Sequence, residues 1–225
     1  MGKTKNEAGE AELTRPAEIV REYGPFPGAP RVNGVTWDGT HVWFASGEKL
    51  QAFDPGTGKP VRSIEMACDA GTAFDGRHLY QLSEDRIQKI DPVTGQVIAT
   101  IAAPGKGGDS GLTWAEGTLW VGQNRSRKIH QIDPETGAIL RTVESNRFVT
   151  GVTWVDGKLW HGTWEGDESD IRRIDPGDGR VLARLTLPEG TGVSGLESDG
   201  GDLFYAGGGE AGKVRAVRRP RSKRR

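Results

Sequence analysis

Gly111-Leu112-Thr113-Trp114-Ala115-Glu116-Gly117-Thr118-Leu119-Trp120 opens a stretch that continues through Gln131-Ile132-Asp133-Pro134-Glu135-Thr136-Gly137 and ends in Ile139-Leu140-Arg141-Thr142-Val143. Four short apolar runs alternate here with a Glu-Gly pair, a polar loop at Gln123-Asn124-Arg125 and an Asp-Pro turn closed by Gly137. Glu-Gly or Asp-Gly between short strands supplies the positive φ of a tight hairpin. Proline after Asp presets φ for a turn, and a later glycine takes the left-handed position that closes it. The stretch reads as one meander of four antiparallel strands.

The meander recurs along the chain. Gly111-Leu112-Thr113-Trp114 is matched by Gly34-Val35-Thr36-Trp37, Gly71-Thr72-Ala73-Phe74, Gly151-Val152-Thr153-Trp154 and, more distantly, Gly195-Leu196-Glu197-Ser198. The leading glycines are 37, 40, 40 and 44 residues apart. An apolar–aromatic pair follows each turn: Val42-Trp43, Leu79-Tyr80, Leu119-Trp120, Leu159-Trp160 and Leu203-Phe204. A period near forty residues with four strands per repeat specifies a propeller, because one meander alone buries too little surface. The fifth repeat lacks a fourth strand after Val214-Arg215-Ala216-Val217, whereas Ile19-Val20-Arg21-Glu22-Tyr23 alternates like the other fourth strands. The expected fold is therefore all-β: a five-bladed β-propeller of four-stranded antiparallel blades, the last closed by the N-terminal strand. One domain is expected over residues 17–217, between a disordered tail at 1–16 and a basic disordered tail at 218–225.

Composition narrows the function classes. A formal net charge of −1 gives no global attraction to nucleic acid or anionic membrane. Only the basic tail leaves room for a nucleic-acid contact. No apolar run approaches the ~18 residues of a membrane-spanning helix. Residues 1–16 lack the apolar core of a secretory signal, so a cytoplasmic location is expected. Cys68 is the sole cysteine, which excludes an internal disulfide. A monomer is expected.

Propeller geometry also selects a face. The loops joining second to third strands, and those crossing between blades, vary in length and chemistry and share one end of the axis. Variable loops on a repeated scaffold are where function gathers. The residues just before the repeat glycines read Asn33, Ala70, Ser110, Thr150 and Ser194, a small polar ring suited to a ligand mouth. Asn33, Ser110, Thr150 and Ser194, with Trp114 and Trp164 as walls, are the expected substrate-binding residues.

Asp69 and Asp109 precede their repeat glycines by two residues in adjacent blades. They suit a carboxylate pair, an amine site or a divalent cation at the mouth, and equally a plain bond to backbone amides. Glu197 replaces Thr or Ala on an inner strand, where a lone carboxylate is costly unless paired or wet. His161 occupies a second-strand position otherwise held by Phe44, Gln81, Val121 and Tyr205. Asp69, Asp109, His161 and Glu197 are the catalytic candidates, although a His at such a position also serves as packing. No His or Cys cluster has metal-ligand spacing, and no cofactor motif is identified.

The repeat Gly-x-x-Trp…Leu-Trp…Ile-Asp-Pro-x-Thr-Gly, clearest from Gly111 to Gly137, resembles the plant-type glutamine cyclotransferase family and is also similar to virginiamycin B lyase-like propellers. The resemblance implies a five-bladed propeller that acts on a peptide N-terminus, as a glutaminyl-peptide cyclotransferase (an acyltransferase) or as a lyase. Asn33 replaces that family's Gln, and Phe44 stands where its acid/base Glu belongs, while Trp164 is kept. Two readings stay open: a propeller acting on a small molecule or peptide N-terminus at the mouth, or a non-catalytic ligand- or protein-binding propeller.

Overall fold

The computed structural model describes residues 13–220, which form an all-β five-bladed propeller. The first blade comprises Val35–Trp37, Val42–Ala45, Gly47–Phe53 and Pro60–Cys68. The second is Thr72–Phe74, Leu79–Ser83, Arg86–Ile90 and Val97–Ala102. The third is Asp109–Ala115, Thr118–Gln123, Lys128–Ile132 and Ile139–Glu144. The fourth is Val152–Val155, Lys158–Glu165, Glu168–Ile174 and Val181–Thr186. Leu196–Ser198, Leu203–Gly207 and Val214–Arg218 build the fifth, with Ile19–Tyr23 as its outermost strand.

Ile19–Tyr23 pairs antiparallel with the last strand, Tyr23 opposite Val214 and Ile19 opposite Val217, so the N-terminal segment closes the ring. Arg21 Nη1 donates to the Pro55 and Gly56 carbonyls at 2.9 Å, and Tyr23 Oη donates to Pro55 O at 3.1 Å, tying the closing strand to the first blade. Both expected tails begin further from the domain than the sequence reading put them. Leu13–Pro16 is a fifth strand, parallel to Val181–Thr186 of the fourth blade. At the other end Arg218 completes its strand, and Arg219 Nε donates to Gly201 O at 2.7 Å. The open edge of Val181–Thr186 offers unpaired amides and carbonyls, which captured Leu13–Pro16 despite its polar composition, whereas Arg218 continues a strand already paired on both sides. The rest of the expected tails, residues 1–12 and 221–225, lies outside the described residues.

The core is five inter-blade clusters, one per interface. The repeated aromatics supply them. Tyr80 of the second blade stacks on Trp114 of the third at 5.5 Å, and Trp120 of the third stacks on Trp154 of the fourth at 5.3 Å. Where Ser198 replaces the inner-strand aromatic, Trp160 meets Phe204 instead, at 5.0 Å. Large rings fill a wedge with few residues, so a modest apolar fraction suffices.

The first hairpins, alike in sequence, split into two kinds. Glu116-Gly117 and Asp156-Gly157 are two-residue turns with positive φ at both positions. Asp38 and Asp75 begin four-residue turns instead, each carboxylate accepting two backbone amides and one ring donor, Trp43 Nε1 at 2.7 Å or Tyr80 Oη at 3.2 Å.

Candidate functional site

The blade-crossing loops bring Asn33, Asp69, Asp109, Ser110, Thr150 and Ser194 to one end of the axis. There they line a cavity of about 260 Å³ with Ala70, Asn124 and Trp164. The strands explain this convergence: each crossing loop ends one residue before a repeat glycine, so equivalent residues arrive at one height. Several of these side chains hold the rim itself. Ser110 Oγ donates to Val149 O at 2.7 Å, linking the third blade to the fourth. Ser194 Oγ donates to Val32 O and accepts from Gly209 N at 3.0 Å, linking the fifth to the first. Trp164 donates from Nε1 to Gly166 O at 3.0 Å. Its ring lies against Gly192 and Gly209, where any side chain would collide with it.

Asp109 is 8% exposed. Its Oδ2 accepts from Gly105 N at 2.7 Å, the plain backbone bond open to a strand-start Asp, and the Gln123 side chain stands beside the carboxyl. Burial pushes this carboxyl above its ordinary range, against the opposing pull of the Gly105 amide and the Gln123 side chain. Thr150 Oγ1, also buried in the lining, is without a partner. Asp69 stands exposed at the edge. Among the described residues, no group of three or more His, Cys, Asp or Glu side chains could hold a metal ion.

The other candidates lie elsewhere. Glu197 lies on the inner strand Leu196–Ser198, three residues beyond Ser194, and is not part of the cavity lining. It is tied to three other blades: Thr36 Oγ1 donates to it at 3.2 Å, Thr113 Oγ1 at 3.4 Å, and Thr153 Oγ1 is bonded to its other oxygen. Burial raises its pKa to about 7 despite those hydroxyls and the Ser198 amide at 2.8 Å.

Two expectations need correction. His161 is fully buried, its Nδ1 donating to Gly162 O at 3.1 Å and its Nε2 3.4 Å from Ser145 Oγ. Burial lowers its pKa to about 4, so it is neutral and packs inside the fourth blade, away from the mouth. Second-strand side chains at this position point into blade packing: Phe44 likewise stacks on Phe26 at 4.5 Å. Trp114 is the second correction. It is not part of the mouth lining; its ring stacks on Tyr80 across the blade interface.

Sequence reasoning passed over Asn124, whose Nδ2 donates to Val149 O at 3.2 Å on the cavity wall; its place in a second-to-third-strand loop was the available signal. It also passed over a buried ion pair in the fourth blade. Arg172 is 2% exposed and grips Asp170 with Nε at 2.6 Å and Nη2 at 2.8 Å. Desolvation would raise Asp170, but the bonds from Arg172 and Thr163 and the charge of Arg184 outweigh it and hold the carboxyl low.

Among solved structures, the chain is similar to Myxococcus xanthus glutaminyl cyclase. The TM-score is 0.75 at 19% identity, covering 92% of this chain and 97% of that one. Virginiamycin B lyase from Staphylococcus aureus is similar at a TM-score of 0.52 and 17% identity, over 89% of this chain and 70% of that one. These likenesses carry the fold and bear out the resemblance read from the repeat; at such identities they carry no chemistry. No curated protein matches the sequence. A family model described as outer membrane protein assembly factor BamB matches residues 83–225. With most of its length under that model, the chain belongs to the outer membrane protein assembly factor BamB family of propeller repeats.

Proposed function

We propose that this propeller is a non-catalytic binding module whose mouth takes a small molecule or peptide N-terminus through a protonated amine. The observation that carries this reading is Asp109: a carboxyl more than nine-tenths buried in the lining of a cavity that it shares with Asp69, Asn124 and the Trp164 ring. A carboxylate taken out of water is costly unless it is paired, and an ammonium group is the pairing partner its charge favours. Trp164 adds an apolar wall for whatever the amine carries, and Asp69 adds negative charge at the entrance.

Catalysis by the resembling family's route has less support. Phe44, in place of the acid/base Glu, lies in the inter-blade core. Glu197 has a pKa suited to proton transfer, but its oxygens are engaged by three threonines deep on the axis. A general acid or base must reach the proton it moves.

Calorimetry with a glutaminyl dipeptide and its N-acetylated twin tests the reading. The free amine is expected to bind and the acetylated peptide to bind at least tenfold more weakly. Asp109→Asn should cost the free amine a similar factor, since a hydrogen bond to a charged group contributes roughly 1.5–3 kcal/mol. Because burial raises the Asp109 pKa, binding should weaken as pH falls through that raised value and the carboxylate protonates. Equal binding of the two peptides would refute the amine reading, and ammonia release above background would refute the non-catalytic one.

A further inference from the structure

Among the described residues, four fourth strands present their outer edges to solvent, and the fourth blade's edge is covered by Leu13–Pro16. Open edges invite pairing, and proteins blunt them with charged side chains. Pro60–Cys68 carries Arg62 and Glu65, Ile139–Glu144 carries Arg141 and Glu144, and Ile19–Tyr23 carries Arg21 and Glu22. Val97–Ala102, of sequence Val-Ile-Ala-Thr-Ile-Ala, carries no charge and no proline. Five of its six residues are exposed, Ile98 at 51%, and Val93 on the adjoining turn is 74% exposed. Its inner side pairs with Arg86–Ile90, and beyond a bulge at Ile98 the strand runs regularly from Ala99 to Ala102.

We infer that Val97–Ala102 is a self-association edge that pairs antiparallel with the same strand of a second copy of this chain. Bare main-chain donors and acceptors specify a β-strand as the occupant, as Leu13–Pro16 shows on the fourth blade. The uncharged sequence favours the second copy. A two-fold axis through Thr100 sets Thr100 opposite Thr100 and Ala99 opposite Ile101 of the second copy, with no like charges facing each other, whereas each of the three other open edges would bring its own charges into the pair. A pair of six-residue strands covers less than the roughly 1,200–2,000 Å² of a standard interface. The association is accordingly weak and concentration-dependent, and it replaces the expected monomer at high concentration.

Sedimentation velocity of the full chain over a wide concentration range reads this directly. The sedimentation coefficient should rise toward that of a species of twice 24.3 kDa. Thr100→Lys places two ammonium groups beside the two-fold axis and should weaken association at least tenfold. Ile98→Glu, on a different side chain, should do the same, with unchanged circular dichroism showing that both variants fold. Val61→Lys, on the charged edge of the first blade, should leave association as it was. A single monomeric species at every concentration overturns the inference, as does a dimer indifferent to Thr100→Lys and Ile98→Glu or equally sensitive to Val61→Lys.

Discussion

Gly151→Ala is expected to destabilise the propeller by at least about 3 kcal/mol, the upper part of the range for overpacking. The reason is a ring of contacts at the axis. A β-carbon on Gly151 would lie under 3.0 Å from backbone atoms of Gly195 and Leu196. Gly34 stands likewise against Ala70 and Thr72, Gly71 against Gly111 and Leu112, Gly111 against Gly151 and Val152, and Gly195 against Asn33 and Val35. None of these five glycines has a positive φ, so their requirement is space and not backbone conformation. Backbone cannot swing aside as a side chain can, so the inner strands would have to separate and open the ring. Gly157→Ala is the matched control. Gly157 has φ +66° and nothing within 4 Å of a β-carbon, so only the strain of a left-handed alanine, roughly 1–2 kcal/mol, applies there. For a domain of this size 1 kcal/mol shifts Tm by about 2–4 °C, so thermal melts should separate the two variants. If Gly151→Ala melts with the wild type, or no lower than Gly157→Ala, the axial ring is not what limits closure.

Lowering the pH from 7 toward 4.5 is expected to stabilise this protein through Glu197, and Glu197→Gln should abolish that gain. The folded-state pKa is about 7 and the ordinary value 4.5, so folding takes up a proton between those limits. Stability therefore falls as pH rises, by about 3 kcal/mol across the window at 1.36 kcal/mol per unit. Below 4.5 both states are protonated, above 7 both are ionised, and the slope vanishes outside the window. Asp109 contributes in the same direction, so the readout is the difference between wild type and Glu197→Gln. Glutamine keeps the shape and an acceptor for the ring of hydroxyls without a charge to desolvate. Urea midpoints from pH 4.5 to 8 should show the variant gaining on the wild type as pH rises. A constant difference between the two proteins would mean that the buried carboxyl does not titrate in this window.

Much of the candidate site was legible in the sequence, and the portion that was not shares a single cause. The mouth residues Asn33, Ser110, Thr150 and Ser194 follow from the repeat phase alone, because each is counted from its own blade's glycine. Trp114 and His161 were misplaced because phase fixes height along the axis but not which neighbour a side chain meets. Trp114 faces Tyr80 of the preceding blade, more than thirty residues back in the chain. Leu13–Pro16 has no alternation to mark it as a strand; the waiting edge of Val181–Thr186 made it one.

The chain by itself determined the number of blades, the closure by Ile19–Tyr23 and the end of the axis where loops converge, since all three are consequences of period and strand count. Tertiary structure alone decided why the repeat begins with glycine and where the carboxyls stand: Asp109 buried in the cavity lining against the Gly105 amide, Glu197 locked among threonines of three other blades. Local patterning operates within one meander. Close approach and desolvation arise only when five meanders meet, between residues as far apart in sequence as Thr36 and Glu197.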